Sequence, residues 1–291
     1  MLIDTILGKL ASIMPVIKTL DGVLTVIRRL QQWGHLIEFD EQLNLSVVAA
    51  ALASYQRRWG LPETGKADEE TSRLMARRYC GCPDFVIESA RGLPRWAGNS
   101  ITFSSTVQLR QADLQAQRDT ILQEVFAHIA SKCGMTISLT QGHANIMQRG
   151  ASSRTDRQLD GAGGTLAYAY LPSIDLATSR SLDQVIDLDE RWSRKMFWLV
   201  VAHETGHNLG LSHNEGREIA LMDPHLNIDI DGYQAWDIDQ LVQRHGLPTV
   251  SPQPSPSPVP TIPTGSPLIN VTVEFGGRKW TAKGQGVEVP A

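Results

Sequence analysis

Cysteine is scarce. Three residues in 291 cannot build a disulfide scaffold, and an odd count leaves at least one thiol without an intrachain partner. A basic excess is missing too: 27 Lys and Arg against 31 Asp and Glu give a net charge of -4. That argues against a nucleic-acid partner, which calls for surplus positive charge toward phosphate. Long apolar runs are also absent. Asp4, Lys9, Lys18 and Asp21 interrupt the most apolar stretch well short of the roughly 18 residues a transmembrane helix needs. The same stretch makes a poor leader peptide, because Asp4 sits where positive charge belongs and Pro15 breaks the apolar block. With 42% hydrophobic and 20% charged residues, what remains is a soluble globular chain long enough for two compact domains.

In the N-terminal stretch Leu2, Ile3, Ile6, Leu7, Leu10, Ile13, Met14 and Ile17 recur at helical spacing, which predicts an amphipathic helix packed on its neighbours. Residues 21–79 read as helical, with apolar stripes at Leu24, Ile27 and Leu30 and at Val47, Val48, Leu52 and Tyr55. Gly60-Leu61-Pro62 stops one helix, and Asp68 can cap a third that carries Leu74 and Met75. From about Trp96 the pattern turns to α/β. Residues 101–103, 135–139, 144–147 and 165–170 are strand-like, while 114–130, 191–209 and 235–245 are helical. Residues 248–267 hold eight prolines, the composition of an extended spacer. The last segment alternates at Ile269, Val271, Val273 and Phe275 before Gly276-Gly277, which suits a strand or hairpin.

The informative stretch is His203-Glu204-Thr205-Gly206-His207-Asn208-Leu209-Gly210-Leu211-Ser212-His213. At 3.6 residues per turn, 203 and 207 stand on one helix face. A straight helix would carry residue 213 about 15 Å from residue 203, so the chain must turn back, and Gly210 is the residue that tolerates the left-handed conformation this needs. His213 then completes three nitrogen ligands with an open fourth position, a set that favours zinc. Glu204, beside the first ligand, is placed as general base and acid.

HExxHxxGxxH is the metzincin zinc signature, and Ala220-Leu221-Met222-Asp223-Pro224 resembles the Met-turn that follows it, with Met222 beneath the histidines. Gly163-Gly164-Thr165-Leu166-Ala167-Tyr168-Ala169-Tyr170 resembles the matrixin segment GGTLAHAF, and Asp187-Leu188-Asp189-Glu190-Arg191-Trp192 resembles the run DxDERW before the active-site helix. Tyr55 to Lys66 is similar to the propeptide run ending FGLPVTGK, and Cys80-Gly81-Cys82-Pro83-Asp84 matches the CGxPD core of the cysteine switch. The likeness to matrixins, the matrix-metalloproteinase type, spans about residues 21–247.

The resemblance implies an α+β fold. A metzincin-type catalytic domain, a twisted and mostly parallel sheet of about five strands with three helices, would follow a small three-helix propeptide similar to peptidoglycan-binding modules. The expected domains are a propeptide at 1–90, the catalytic domain at 94–247, a linker at 248–267 and a tail at 268–291. The implied function is a zinc endopeptidase made as a latent zymogen and acting outside the cell on protein or peptide, with its own propeptide as inhibitor. Cys80 would be the zinc ligand of the latent form, with Cys82 as fallback. Asp160, Asp187 and Glu190 match the family's calcium carboxylates. Three solvated surface acids are the plain alternative.

Two departures from the family are visible. Tyr79 stands where the switch has Arg, with Arg78 one residue early, so the salt bridge that orients the switch is expected to change. Ser153, Thr155, Tyr168 and Val185 occupy the ligand positions of the family's structural zinc, which predicts one zinc, not two. One rival reading makes residues 21–79 a peptidoglycan-targeting module. Another makes the chain a non-catalytic zinc-dependent binding protein, which would have no need of Glu204. Whether Cys82 and Cys133 pair is open at this level.

Overall fold

Three short helices are built first, each with a side-chain cap. Helix α1 (Leu20–Gln32) starts at Thr19, whose hydroxyl accepts from Gly22 N; α2 (Leu45–Arg58) starts at Asn44; α3 (Glu69–Met75) starts at Asp68, which accepts from Thr71 N at 3.0 Å. The computed structural model describes residues 10–37, 44–84, 95–172, 181–214, 218–248, 268–275 and 278–285. The expected helix at 2–17 therefore lies partly outside the described residues. Leu10 is still helical, but from Ala11 onward the chain runs in turns, Pro15 lacking the N–H a continued helix would use. Leu10 and Met14 are nonetheless buried.

These elements share a core of Val23, Val26, Ile27, Leu30, Trp33, Leu52, Tyr55 and Met75. Ile27, Leu30, Val48, Leu52 and Tyr55 of the expected stripes are buried, and two other members face outward. Leu24 and Val47 are exposed, at 41% and 44%, and Val23 and Val26 face inward instead. The i, i+3, i+4 spacing fits either set, and only packing selects the face.

The second core belongs to a six-stranded sheet of order β1-β5-β6-β4-β2-β3. Its strands are β1 (Tyr79–Cys80), β2 (Ser100–Ser105), β3 (Thr136–Leu139), β4 (Ile146–Ala151), β5 (Thr165–Ala169) and β6 (Leu182–Asp187). β2, β3, β4 and β6 are mutually parallel, β5 runs antiparallel to β6, and β1 adds in parallel to β5. Helices α4 (Ala112–Ala130), α5 (Arg194–Asn208) and α6 (Ala235–His245) complete this part. A mixed fold with a mostly parallel sheet and three helices is therefore what forms, with β1 supplied by the helical N-terminal region.

β6 escaped the sequence reading because its buried residues include polar ones. Gln184 is fully buried, donating to Thr205 Oγ1 and Asn208 Oδ1 and accepting from Gln148, so the apolar alternation that marks a strand is broken. Met1–Pro248 forms one compact unit and Thr249–Ala291 a second. In the second unit β7 (Leu268–Phe275) and β8 (Arg278–Gln285) pair antiparallel, Leu268 opposite Gln285 and Phe275 opposite Arg278. The expected spacer over 249–267 and the turn at 276–277 lie outside the described residues. Among the described residues no helix is long and apolar enough to cross a membrane.

Candidate metal centre

α5 begins at Ser193, whose hydroxyl accepts from Met196 N at 3.2 Å, and its last two turns carry His203, Glu204 and His207, all buried. The helix ends where Gly210 takes a φ of 97°, a left-handed conformation that costs a side-chain-bearing residue strain. Gly210 N returns to His207 O at 2.8 Å and Leu211 N to Gly206 O at 3.0 Å. This turn sends the chain back and delivers His213 to the same point.

Each imidazole is fixed by its Nδ1. His203 Nδ1 meets Leu221 O at 2.7 Å, His207 Nδ1 meets Leu211 O at 2.8 Å, and His213 Nδ1 meets Asp84 Oδ1 at 3.2 Å. A ring nitrogen facing a carbonyl carries the proton, which leaves Nε2 as a bare lone pair. The Nε2 atoms of His203 and His213 each lie 3.1 Å from that of His207. Three lone pairs converging with no proton to share call for a cation between them. Burial, reinforced by the other histidines, pushes His203 down to about 3 and His207 well below the ordinary imidazole value. Both rings are thus neutral, the state that binds metal. The donor set fits zinc.

Met222 lies beneath α5. A Cβ placed on Gly206 would come within 2.5 Å of its sulfur, so only glycine lets the turn settle on the methionine. Asp237, a residue the sequence reading passed over, holds this turn. Its carboxylate accepts from Leu221 N at 2.7 Å, Met222 N at 3.1 Å and Gln234 N at 2.8 Å while fully buried. Replacing it with Ala orphans buried amides at about 1–3 kcal/mol each. Asp237→Ala is therefore expected to lower the thermal midpoint by several degrees and to weaken zinc retention, measurable by thermal unfolding and metal analysis.

The segment Arg78–Cys82 lies along β5. Tyr79 N donates to Gly164 O at 3.2 Å and Gly81 N to Ala167 O at 2.7 Å; on the other side Cys80 N donates to Pro224 O at 2.7 Å and Leu226 N to Arg78 O at 2.9 Å. This places Cys80 Sγ 3.5 Å from His207 Nε2, and the ligand atoms of Cys80, His203, His207 and His213 all lie within 4.8 Å of one another. Cys82 Sγ points elsewhere, to Ala169 N at 3.2 Å, Ala169 O at 3.1 Å and Glu204 Oε2 at 3.9 Å. Burial pushes Glu204 up to about 8, against the hydrogen bonds of the two thiols. All three cysteines are free, so Cys82 and Cys133 do not pair.

Residues 95–241 match the Matrixin family model, and residues 19–75 match that of a putative peptidoglycan binding domain. The chain belongs to the matrixin family. It is 32% identical over 222 residues to interstitial collagenase of Sus scrofa, covering 68% of this chain and 45% of that protein. Stromelysin-1 of Mus musculus is 30% identical over 254 residues (82% and 52%), and matrix metalloproteinase-15 of Homo sapiens 32% over 253 residues (74% and 36%). The chain thus spans about half the length of these matrixins or less.

Asp84, at the end of the run Cys80-Gly81-Cys82-Pro83-Asp84, bridges two histidines. With Tyr79 in the arginine position, Asp84 bonds His35 Nε2 at 3.0 Å through one oxygen and His213 Nδ1 through the other. Burial opposes its ionisation, yet these two histidines outweigh it and hold the carboxyl at about 2. Arg58 donates to Asp84 O at 3.2 Å, and Arg78 reaches Glu190 Oε2 at 3.6 Å instead. His35 carries no motif and could not be singled out from the sequence. His35→Ala leaves the buried Asp84 short of one partner, so the full chain should lose about 1–3 kcal/mol, read as a lower unfolding midpoint that disappears once residues 1–90 have been removed.

At the structural-zinc positions Ser153 bonds Asp189 through its amide at 3.0 Å and its hydroxyl at 2.8 Å, and Val185 is buried. The Tyr168 hydroxyl donates to Asp156 at 2.7 Å, which also pairs with Arg149 at 3.0 Å. The calcium candidates stay near one another without converging: among the described residues they form no group of ligand atoms within 4.8 Å. Asp160 accepts from Thr165 N and pairs with Arg29 at 3.3 Å, and Glu190 accepts from Gly163 N. Asp187 Oδ2 is buried without a partner, and burial together with the neighbouring carboxylates pushes this group up to about 6. That orphaned oxygen fits a cation ligand.

Proposed function

We propose that the chain is the latent form of a zinc endopeptidase in which Cys80 fills the position the reaction needs. The observation carrying this reading is the convergence of the Cys80 thiol on the three histidine nitrogens. A zinc ion held by His203, His207 and His213 supplies Lewis acidity toward a peptide carbonyl and toward water. Glu204 takes the proton of the attacking water and passes it to the leaving amine nitrogen. The substrate pairs antiparallel with β5 after the segment Tyr79–Cys82 has left, gaining main-chain bonds to Gly164 and Ala167. β1 runs parallel to β5, so the propeptide presents its carbonyls with the opposite polarity to such a substrate.

Beside His203 and Glu204 lies a pocket whose lining includes Leu199, Val200, Leu221, Leu226 and Ile230. Its apolar wall selects a peptide with a sizeable apolar side chain next to the cleaved bond. Calcium at Asp160, Asp187 and Glu190 would tie the loop before β5 to the segment before α5. The match of residues 19–75 to a peptidoglycan-binding model supports a second reading, in which the helical region carries the enzyme to a cell wall.

Incubating the full chain with zinc and sequencing the new N-terminus tests both competence and latency. Self-cleavage between Tyr79 and Ser100, followed by peptidase activity, is expected. A chain that stays inactive after the N-terminal region has been removed would refute the enzyme reading. Co-sedimentation of the latent chain with insoluble peptidoglycan separates the targeting reading from a purely inhibitory propeptide.

A further inference from the structure

Cys82 takes no part in the three-histidine seat, yet it belongs to a second convergence. The thiols of Cys80 and Cys82, a carboxylate oxygen of Glu204 and an imidazole nitrogen of His207 lie within 4.8 Å of one another. All four residues are buried, none above 4% exposure. Cys82 N donates to Cys80 Sγ at 3.3 Å, which curls the segment so that both sulfurs face α5. Gly81 makes this approach feasible, since a Cβ there would lie 2.7 Å from the Thr165 methyl and 2.5 Å from Gln32. Two thiols, a carboxylate and an imidazole gathered in a dry pocket are a ligand set, and a softer one than three imidazoles with a single thiol.

We propose that Cys80, Cys82, Glu204 and His207 form a second cation seat, alternative to the three-histidine seat and selective for a thiophilic divalent ion such as cadmium. This rests on the reading that Cys80 faces the catalytic metal in the latent chain. The seats share Cys80 and His207, and a neutral imidazole offers one lone pair, so a single ion takes one seat or the other. Zinc, content with nitrogen ligands, sits among the histidines. A softer ion moves toward the second sulfur, displacing the thiol protons as it binds. An ion held there fastens the propeptide by two sulfurs instead of one and engages Glu204, so the cadmium-loaded chain is shut more firmly than the zinc-loaded one.

The test uses the full-length chain loaded with cadmium or with zinc. The ultraviolet thiolate-to-cadmium absorption of the parent is expected to be about twice that of Cys82→Ser, since one of two sulfur ligands is lost. Iodoacetamide should modify Cys82 at least about 10-fold more slowly in the cadmium form than in the zinc form, a comparison that needs no variant. Equal absorption in parent and Cys82→Ser, or equal Cys82 alkylation in the two metal forms, overturns the second seat. If zinc protects Cys80 from alkylation while cadmium leaves Cys82 open, only the second seat fails. If zinc does not protect Cys80, the switch reading fails and the seat falls with it.

Discussion

Glu204→Gln, assayed after removal of the propeptide, is expected to lower turnover of a peptide about 10²–10⁴-fold or more while leaving one zinc bound. The amide keeps the volume of the carboxylate but cannot accept a proton. His203 and His207 stay anchored by Leu221 O and Leu211 O after the N-terminal region has gone, and neither anchor involves Glu204, so the metal site should survive. Zinc content by metal analysis and kcat on a peptide with an apolar residue at the cleavage site decide the matter. Full activity in a folded, zinc-loaded variant would remove Glu204 from the mechanism.

Cys80→Ser should yield an uncut chain about 10²–10⁴-fold more active than the uncut parent, the range a tethered ligand contributes through effective concentration. A serine hydroxyl is neutral near pH 7 and a far poorer zinc ligand than a thiolate. The variant keeps the main-chain bonds of residues 78–82 to Gly164, Ala167, Pro224 and Leu226. Each of those is worth only about 0.5–1.5 kcal/mol net, and a two-residue strand cannot hold the cleft closed against substrate on them alone. Intact mass alongside a peptidase assay excludes activity from cleaved material. Latency equal to the parent would show that the sulfur is not what blocks the site.

Legibility in the sequence followed the range of the interactions involved. The helix cap at Asp68 is local: its side chain meets a backbone amide three residues on, so the pattern that encodes it can be read directly. β6 is not local in this sense. Its place in the sheet depends on Gln184 being buried against Gln148, Thr205 and Asn208, partners that compensate a polar interior residue only in three dimensions. Leu24 and Val47 went to the wrong face because a helical stripe has two edges, and neighbouring elements choose between them. His35 and Asp237 stayed hidden for a related reason. Each is an isolated polar residue whose role appears only where it meets a buried partner, Asp84 in one case and the amides of Leu221 and Met222 in the other.

By itself the sequence determined the matrixin fold class, the helical positions of His203, Glu204 and His207, and the return that Gly210 allows before His213. The fold class follows from the resemblance of several motifs to matrixins; the site positions follow from a 3.6-residue period and one left-handed glycine, physics that acts within eleven residues. The motif resemblance put Cys80 first and Cys82 second; tertiary structure brought Cys80 to the histidines and decided what Asp84 holds. Cys80 and His207 are 127 positions apart, and what joins them is the parallel seating of Tyr79–Cys80 on β5. In that register one cysteine faces the metal centre and the other faces Ala169 and Glu204. Pairing of distant strands sets that choice, and no spacing along the chain encodes it.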